Sequence, residues 1–280
     1  MPISLVAGLA LMSAVAIDDG HAAQMELSGQ RPMVEVRFGD HDPVWMIFDT
    51  GASGSLILPQ FATMLDLPDL GEAAIQSGAG GDLIPVRRTE LSGHVGGYEF
   101  TGTQAVVADI PLPPSDRPIA GILSPRAFAD GRLLSLNFAT GAISLADEDA
   151  AIPEGSPSPF EGDQRPLPSV HATFNGVQRL CHIDTGAPGT LTLPWQDREA
   201  FAFETAPVQS GMATLANGQR PIYRAQLSGD VQIAFLTLQD PEVHLLEGIR
   251  GCNIGMGLLN QFVVTLDFEN RQVWVAPADG

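Results

Sequence analysis

Val34-Glu35-Val36-Arg37-Phe38 alternates apolar and charged positions, the period-two pattern of a strand buried on one face. Gly39 to Pro43 reads as a turn, and Val44 to Phe48 then climbs back toward the core as a second strand. The same hairpin recurs at Val170-His171-Ala172-Thr173-Phe174 and Val177 to Ile183, joined by Asn175-Gly176, a dipeptide that favours the type I′ turn. Leu136 to Ile143 and Leu266 to Val273 each read as strand, turn, strand. Helix-period runs are few: Gln60 to Asp66 and Arg126 to Asp130 could each supply one short helix. With 30 Gly and 22 Pro among 280 residues, the pattern predicts an all-β protein of many short strands.

The two hairpins lead into a repeated motif. Phe48 is followed by Asp49-Thr50-Gly51-Ala52-Ser53-Gly54-Ser55-Leu56-Ile57-Leu58-Pro59. Ile183 is followed, 135 positions later, by Asp184-Thr185-Gly186-Ala187-Pro188-Gly189-Thr190-Leu191-Thr192-Leu193-Pro194. Eight of these eleven positions are identical, which excludes coincidence. Gln76-Ser77-Gly78 then parallels Gln209-Ser210-Gly211, and Leu91 to Val95 parallels Leu227 to Val231. Ile119-Ala120-Gly121 is set against Asn253-Ile254-Gly255. The chain therefore reads as a tandem duplication: a first lobe over residues 24–147, a Pro- and Ser-containing linker over 148–166, and a second lobe over 167–280.

Charge narrows the function. The formal net charge is −19, and every basic residue is Arg. A surface this acidic repels phosphate backbones, so no nucleic-acid partner is expected. Without Lys there is no Schiff-base or Ser-Lys chemistry. The uncharged apolar run Ile3 to Ile17, ending near Ala22-Ala23, reads as a secretory signal over residues 1–23, although no Lys or Arg precedes it. A periplasmic or secreted location is expected, with membrane contact only through that segment if it stays uncleaved; the run is short for a membrane span.

An Asp at the end of an apolar strand is costly unless it is satisfied. Gly after it lets backbone N–H groups approach the carboxylate, and Thr lends a hydroxyl to hold the loop. Two such sites, brought face to face by a pseudo-two-fold, would share one proton, because like charges at close range cannot both ionise. One carboxylate could then draw a proton from water while the other protonates a carbonyl oxygen, which is amide hydrolysis without a covalent intermediate.

The doubled Asp-Thr-Gly-Ala, with its downstream apolar-apolar-Gly elements, resembles the aspartic proteases, from about Met33 to Val275 and omitting the linker. Ala52 and Ala187 look like the retropepsin-like branch, whose members are dimers of single lobes. The resemblance implies a bilobal acid-protease fold with two β-barrel-like lobes, a cleft between them, and a monomer that cuts extended peptide or protein substrates. It implies Asp49 and Asp184 as the catalytic dyad, supported by Thr50, Gly51, Thr185 and Gly186. No cofactor and no metal are expected; the six His and two Cys offer no metal-site pattern. Gly78, Ala79 and Gly80 fall where the family places a substrate-covering flap, or else form an ordinary glycine-rich turn. His182 shares a strand face with Asp184 and is either a hydrogen-bonded core residue or a substrate-binding one that, protonated, prefers an acidic or polar side chain. Cys181 and Cys252 lie on strands that the family sets side by side, which leaves a disulfide or two buried thiols. Ala52 and Ala187, in place of Ser or Thr, remove a hydrogen bond to the ionised carboxylate, so a milder acid optimum than pepsin's is expected. Two other readings are a catalytically silent peptide-binding module on the same fold and a self-processing enzyme.

Overall fold

The computed structural model describes residues 23–28, 31–78, 80–127, 129, 131–147, 153, 155–160, 167–233 and 236–278. The fold is all-β and bilobal, with two sheet bodies. Residues 1–22 of the expected signal sequence and most of the linker lie outside the described residues, whereas Ala23, its last expected residue, is buried and begins the strand Ala23–Ser28. Among those described, no helix is long and apolar enough to cross a membrane.

The alternation at Val34 to Phe38 produces a strand, Arg31–Arg37, in which Val34 and Val36 are fully buried. It pairs antiparallel with Val44–Phe48, as Ser169–Phe174 does with Val177–Ile183. Asn175 and Gly176 have φ of 48° and 85°, the two left-handed positions that a type I′ turn requires.

Each lobe then repeats one arrangement. In the first, Val44–Phe48 runs parallel to Ile119–Leu123, and Ser55–Ile57 runs antiparallel to that same strand. In the second, Val177–Ile183 runs parallel to Cys252–Ile254, which pairs antiparallel with Leu191–Pro194. The chain thus leaves one side of a central strand, makes the Asp-Thr-Gly loop, and re-enters on the other side.

Backbone hydrogen bonds correct the alignment of those central strands. Asp49 N–H donates to Leu123 O at 3.1 Å, and Asp184 N–H donates to Ile254 O at 2.9 Å. The counterpart of Gly255 is therefore Ser124, not Gly121, and the counterpart of Asn253 is Ile122. Ser124 is tolerated because its hydroxyl is absorbed locally, donating to Ala52 O at 2.8 Å. Gly121 is a glycine for another reason: a Cβ there would stand 2.9 Å from Ile57 Cα in the adjoining strand.

The last hairpin, Phe262–Asp267 with Gln272–Pro277, joins the first lobe's sheet beside Arg132–Asn137. Leu134, Leu136, Val264 and Leu266 are fully buried along this seam, each worth roughly 1.5–3 kcal/mol of burial. One sheet therefore spans both halves of the chain. Ser158–Pro159, within the expected linker, adds a short strand next to Gln272–Pro277.

Helix is scarce. Pro59–Met64 is α-helical and Pro125–Ala127 a single 3₁₀ turn, each overlapping an expected stretch and starting one residue before it. Trp195–Ala200 and Met256–Leu259 are further short helical turns that the sequence pattern did not announce. Segments of four to six residues are too short to display a helical period.

Candidate active site

Asp49 and Asp184 sit at the ends of their strands and face each other across the junction of the lobes. Beneath them the threonines interlock. Thr50 N–H donates to Thr185 Oγ1 at 3.0 Å, and Thr185 N–H donates to Thr50 Oγ1 at 3.1 Å. Each hydroxyl in turn donates 2.6 Å to a carbonyl of the opposite strand, Thr50 to Ile183 O and Thr185 to Phe48 O. Both side chains are almost fully buried, at 2% and 0% exposure. Four hydrogen bonds thus hold the two loops in one geometry with no buried polar group left over.

The glycines are dictated by the opposite carboxyl. A Cβ on Gly51 would lie 2.7 Å from Asp184 Oδ1, and one on Gly186 would lie 2.6 Å from Asp49 Oδ2. Only glycine fits. Gly51 N–H donates to Asp49 Oδ1 at 2.8 Å, and Ala187 N–H donates to Asp184 Oδ1 at 3.1 Å.

The two carboxyl groups lie close enough for each to act on the other's ionisation. Burial pushes both above the usual carboxylate range. For Asp184, burial and then the charge of Asp49 raise it to about 8. For Asp49, burial is opposed by the Gly51 and Gly186 N–H groups, the Arg31 guanidinium and the neighbouring Asp184 carboxyl. The Gly186 and Ala187 N–H groups and Arg31 oppose burial at Asp184 too, so it is the charge of Asp49 that leaves the pair's one retained proton on Asp184.

Two residues next to the dyad escaped the sequence reading. Asn253 donates from Nδ2 to Asp184 Oδ2 at 2.5 Å, so an amide from the adjacent strand supplies a donor where Ala187 lacks a hydroxyl. Asp49 has no such side-chain neighbour at the equivalent place, because Ile122 stands there. Arg31 donates from Nε to Gly186 O at 2.7 Å, and its charge acts on both Asp184 and Asp49. Burial is the main influence on Arg31 itself and lowers its pKa. The alignment that matched Gly121 to Gly255 hid Asn253. Arg31 was visible as the one mismatch where Arg31-Pro32 enters its strand and Leu167-Pro168 enters the other.

His182 is half-buried, and its Nδ1 lies 2.8 Å from Ser169 Oγ. That hydroxyl already donates to Leu167 O at 2.8 Å, so Nδ1 is the donor to it. Burial lowers the His182 pKa, which disfavours the charged form that an acidic-subsite role would use. Cys181 and Cys252 are joined as a disulfide between directly paired residues of parallel strands. Among the described residues, no cluster of His, Cys, Asp and Glu is arranged to hold a metal ion.

Gly78 and Gly80 lie at the tip of the hairpin Glu72–Ser77 with Gly80–Val95, and Ala79 lies outside the described residues. The second lobe carries a matching hairpin, Val208–Leu215 with Gly218–Gln226. Its tip is at Ala216 and Asn217, since Gly211, the sequence match of Gly78, falls within a strand. Asn217 Nδ2 donates to Gly80 O at 2.8 Å, and Gly81, at φ of 89°, leaves room for that amide. The tips of both hairpins therefore meet.

No curated protein matches the chain. A family model described as aspartyl protease matches residues 34–124 and 170–268, one segment in each lobe and together more than half of the chain. These two segments contain both Asp-Thr-Gly loops and both strands that flank them, and the chain belongs to the aspartyl protease family.

Proposed function

We propose that the protein is a single-chain aspartic endopeptidase whose dyad is Asp49 and Asp184. The observation that carries this reading is the pair of facing carboxyl groups, each held by its own loop, with the two loops locked together by the Thr50–Thr185 interlock. A binding module on the same fold has no need of a second buried carboxyl or of two glycines shaved to admit it.

An extended peptide lies in the cleft with its scissile carbonyl over the dyad. Ionised Asp49 takes a proton from a water whose oxygen attacks that carbonyl carbon, while protonated Asp184 gives its proton to the carbonyl oxygen. The tetrahedral diol then collapses: Asp49 passes its proton to the amide nitrogen, Asp184 takes one from a diol hydroxyl, the C–N bond breaks, and the acid and amine products leave with the dyad restored. The water is activated by the carboxylate alone, and the enzyme forms no covalent intermediate. The meeting hairpins would have to part to admit the chain and close again over it. With both lobes in one polypeptide, the working unit is a monomer. The Cys181–Cys252 disulfide supports an exported, oxidising location for it.

Digestion of a peptide library by wild type, Asp49→Asn and Asp184→Asn at several pH values tests the proposal. Internal cleavage by wild type and none by either variant is expected. Cleavage that survives either substitution would overturn the dyad.

A further inference from the structure

Arg31 has more hydrogen-bonding capacity than the fold uses. A guanidinium carries five N–H donors. Among the described residues only Nε–H is engaged, with Gly186 O, and no acceptor takes either Nη group. The head group is nonetheless half-buried, and burial is the dominant influence on its ionisation. A cation withdrawn from water with its fork unfilled is a poor end state for folding alone.

The surroundings say what the fork faces. Arg31 lines a small pocket with Met33, Ile47, Pro113, Pro114, Ser115 and Ile119. Ile47 stands two residues before Asp49 on the same strand, so the pocket adjoins the dyad on the first lobe's side. Met33, Ile47 and Ile119 are buried as one apolar cluster. The nearby cation Arg117 is committed elsewhere, to Glu26 Oε2 at 2.8 Å and to the Trp45 ring at 4.4 Å. The second lobe has Leu167, Ser169 and His182 where Arg31, Met33 and Ile47 stand, so this pocket has no twin.

We infer that Arg31 is a specificity-determining residue that binds a carboxylate of the peptide substrate, with the apolar wall taking the methylenes that carry it. The inference rests on the peptidase reading above. Nε is pinned by the second lobe's active-site loop, which orients the two Nη groups as a fork for bidentate pairing. The carboxylate could be an acidic side chain beside the scissile bond or the C-terminus of a short peptide, and the test separates the two.

Quenched peptides are compared at pH 6, where a Glu side chain is ionised. One set replaces Glu by Gln at each position flanking the cleaved bond, and a second set replaces the C-terminal acid by the amide. Wild type is expected to prefer the acid at one position by roughly tenfold in kcat/KM, a value reduced for partial exposure. Arg31→Gln should abolish the preference, read as the ratio of acid to neutral kcat/KM whatever the absolute rate, and Arg31→Lys should keep part of it. Preference in the first set alone identifies a side chain, and in the second alone a C-terminus. Equal rates for acid and neutral partners in wild type, or a preference that persists in Arg31→Gln, would overturn the inference. The same peptides titrated against Asp49→Asn report the acid-to-neutral affinity ratio without turnover. Absence of cleavage would therefore count against the peptidase reading, and an affinity ratio of one against Arg31.

Discussion

Replacing Asn253 by Ile would make the second lobe copy the first, where Ile122 occupies the equivalent strand position, and would test how the dyad divides its charge. Asn253 Nδ2–H lies 2.5 Å from Asp184 Oδ2. A donor to an ionised group contributes about 1.5–3 kcal/mol and a donor to a neutral one about 0.5–1.5. The amide therefore favours ionised over protonated Asp184 by about 1–1.5 kcal/mol, or roughly one pH unit at about 1.36 kcal/mol per unit. Asp184 is the group that loses its proton last, at about 8, so the amide acts on the second ionisation. The sign follows. Removing a donor that favours the anion raises the pKa, so the alkaline limb of kcat/KM should move up by roughly one unit. The acidic limb, set by Asp49, should stay in place, since Gly51, Gly186 and Arg31 are untouched. The assay is the full pH profile of kcat/KM on one peptide for wild type and Asn253→Ile. Movement of the acidic limb instead would mean that Asp184 takes the first charge, and the assignment of base and acid would have to be exchanged.

Thr50→Val should destabilise the fold by about 2–4 kcal/mol, because it leaves the Thr185 N–H and the Ile183 carbonyl buried without partners. Urea unfolding at unchanged m-value reads this, and a loss under about 1 kcal/mol would show the interlock to be dispensable. Asp184→Asn should raise the melting temperature, and by more at pH 8 than at pH 4. The folded pKa of Asp184 is raised, so between the unfolded value near 3.9 and about 8 the native state holds a proton that the unfolded chain has lost. Wild-type stability consequently falls as pH rises through that window, whereas an Asn side chain does not titrate. A gap in melting temperature that is constant from pH 4 to pH 8 would contradict the buried, shared proton.

What could be read from the chain was what the duplication repeats. Period-two burial at Val34 to Phe38, the Asn175-Gly176 turn and the paired Asp-Thr-Gly loops all rest on local chemistry, and the matching copy doubles each signal. Residues that act through tertiary contact with no copy were hidden. Asn253 reaches Asp184 from a neighbouring strand 69 positions away in sequence. Arg31 reaches Gly186 across 155 positions. The glycine match at Gly121 misled because glycine serves two physical needs here. At Gly121 a neighbouring strand crowds the Cβ position, and at Gly255 the Gly189 and Ala187 carbonyls do. Identity of residue type did not imply identity of role.

The same contrast accounts for how a symmetric scaffold can support an asymmetric reaction. The backbone around the dyad is nearly two-fold: reciprocal threonine bonds, reciprocal glycine gaps, and matching strands on either side. Hydrolysis by two carboxyls needs them unequal, since one must be charged while the other holds the proton. Backbone symmetry alone would leave the proton undecided. The side chains that break it are few and adjacent to the carboxyls: Arg31 against Leu167, Ile122 against Asn253, Ile47 against His182. The Gly186 N–H and Arg31 act on both carboxyls, and it is burial together with the charge of Asp49 that keeps Asp184 protonated. Because Arg31 and Ile47 also line the pocket beside the dyad, the division of labour in the proposed chemistry and the proposed choice of substrate share positions. A substitution that changes one should register in the other.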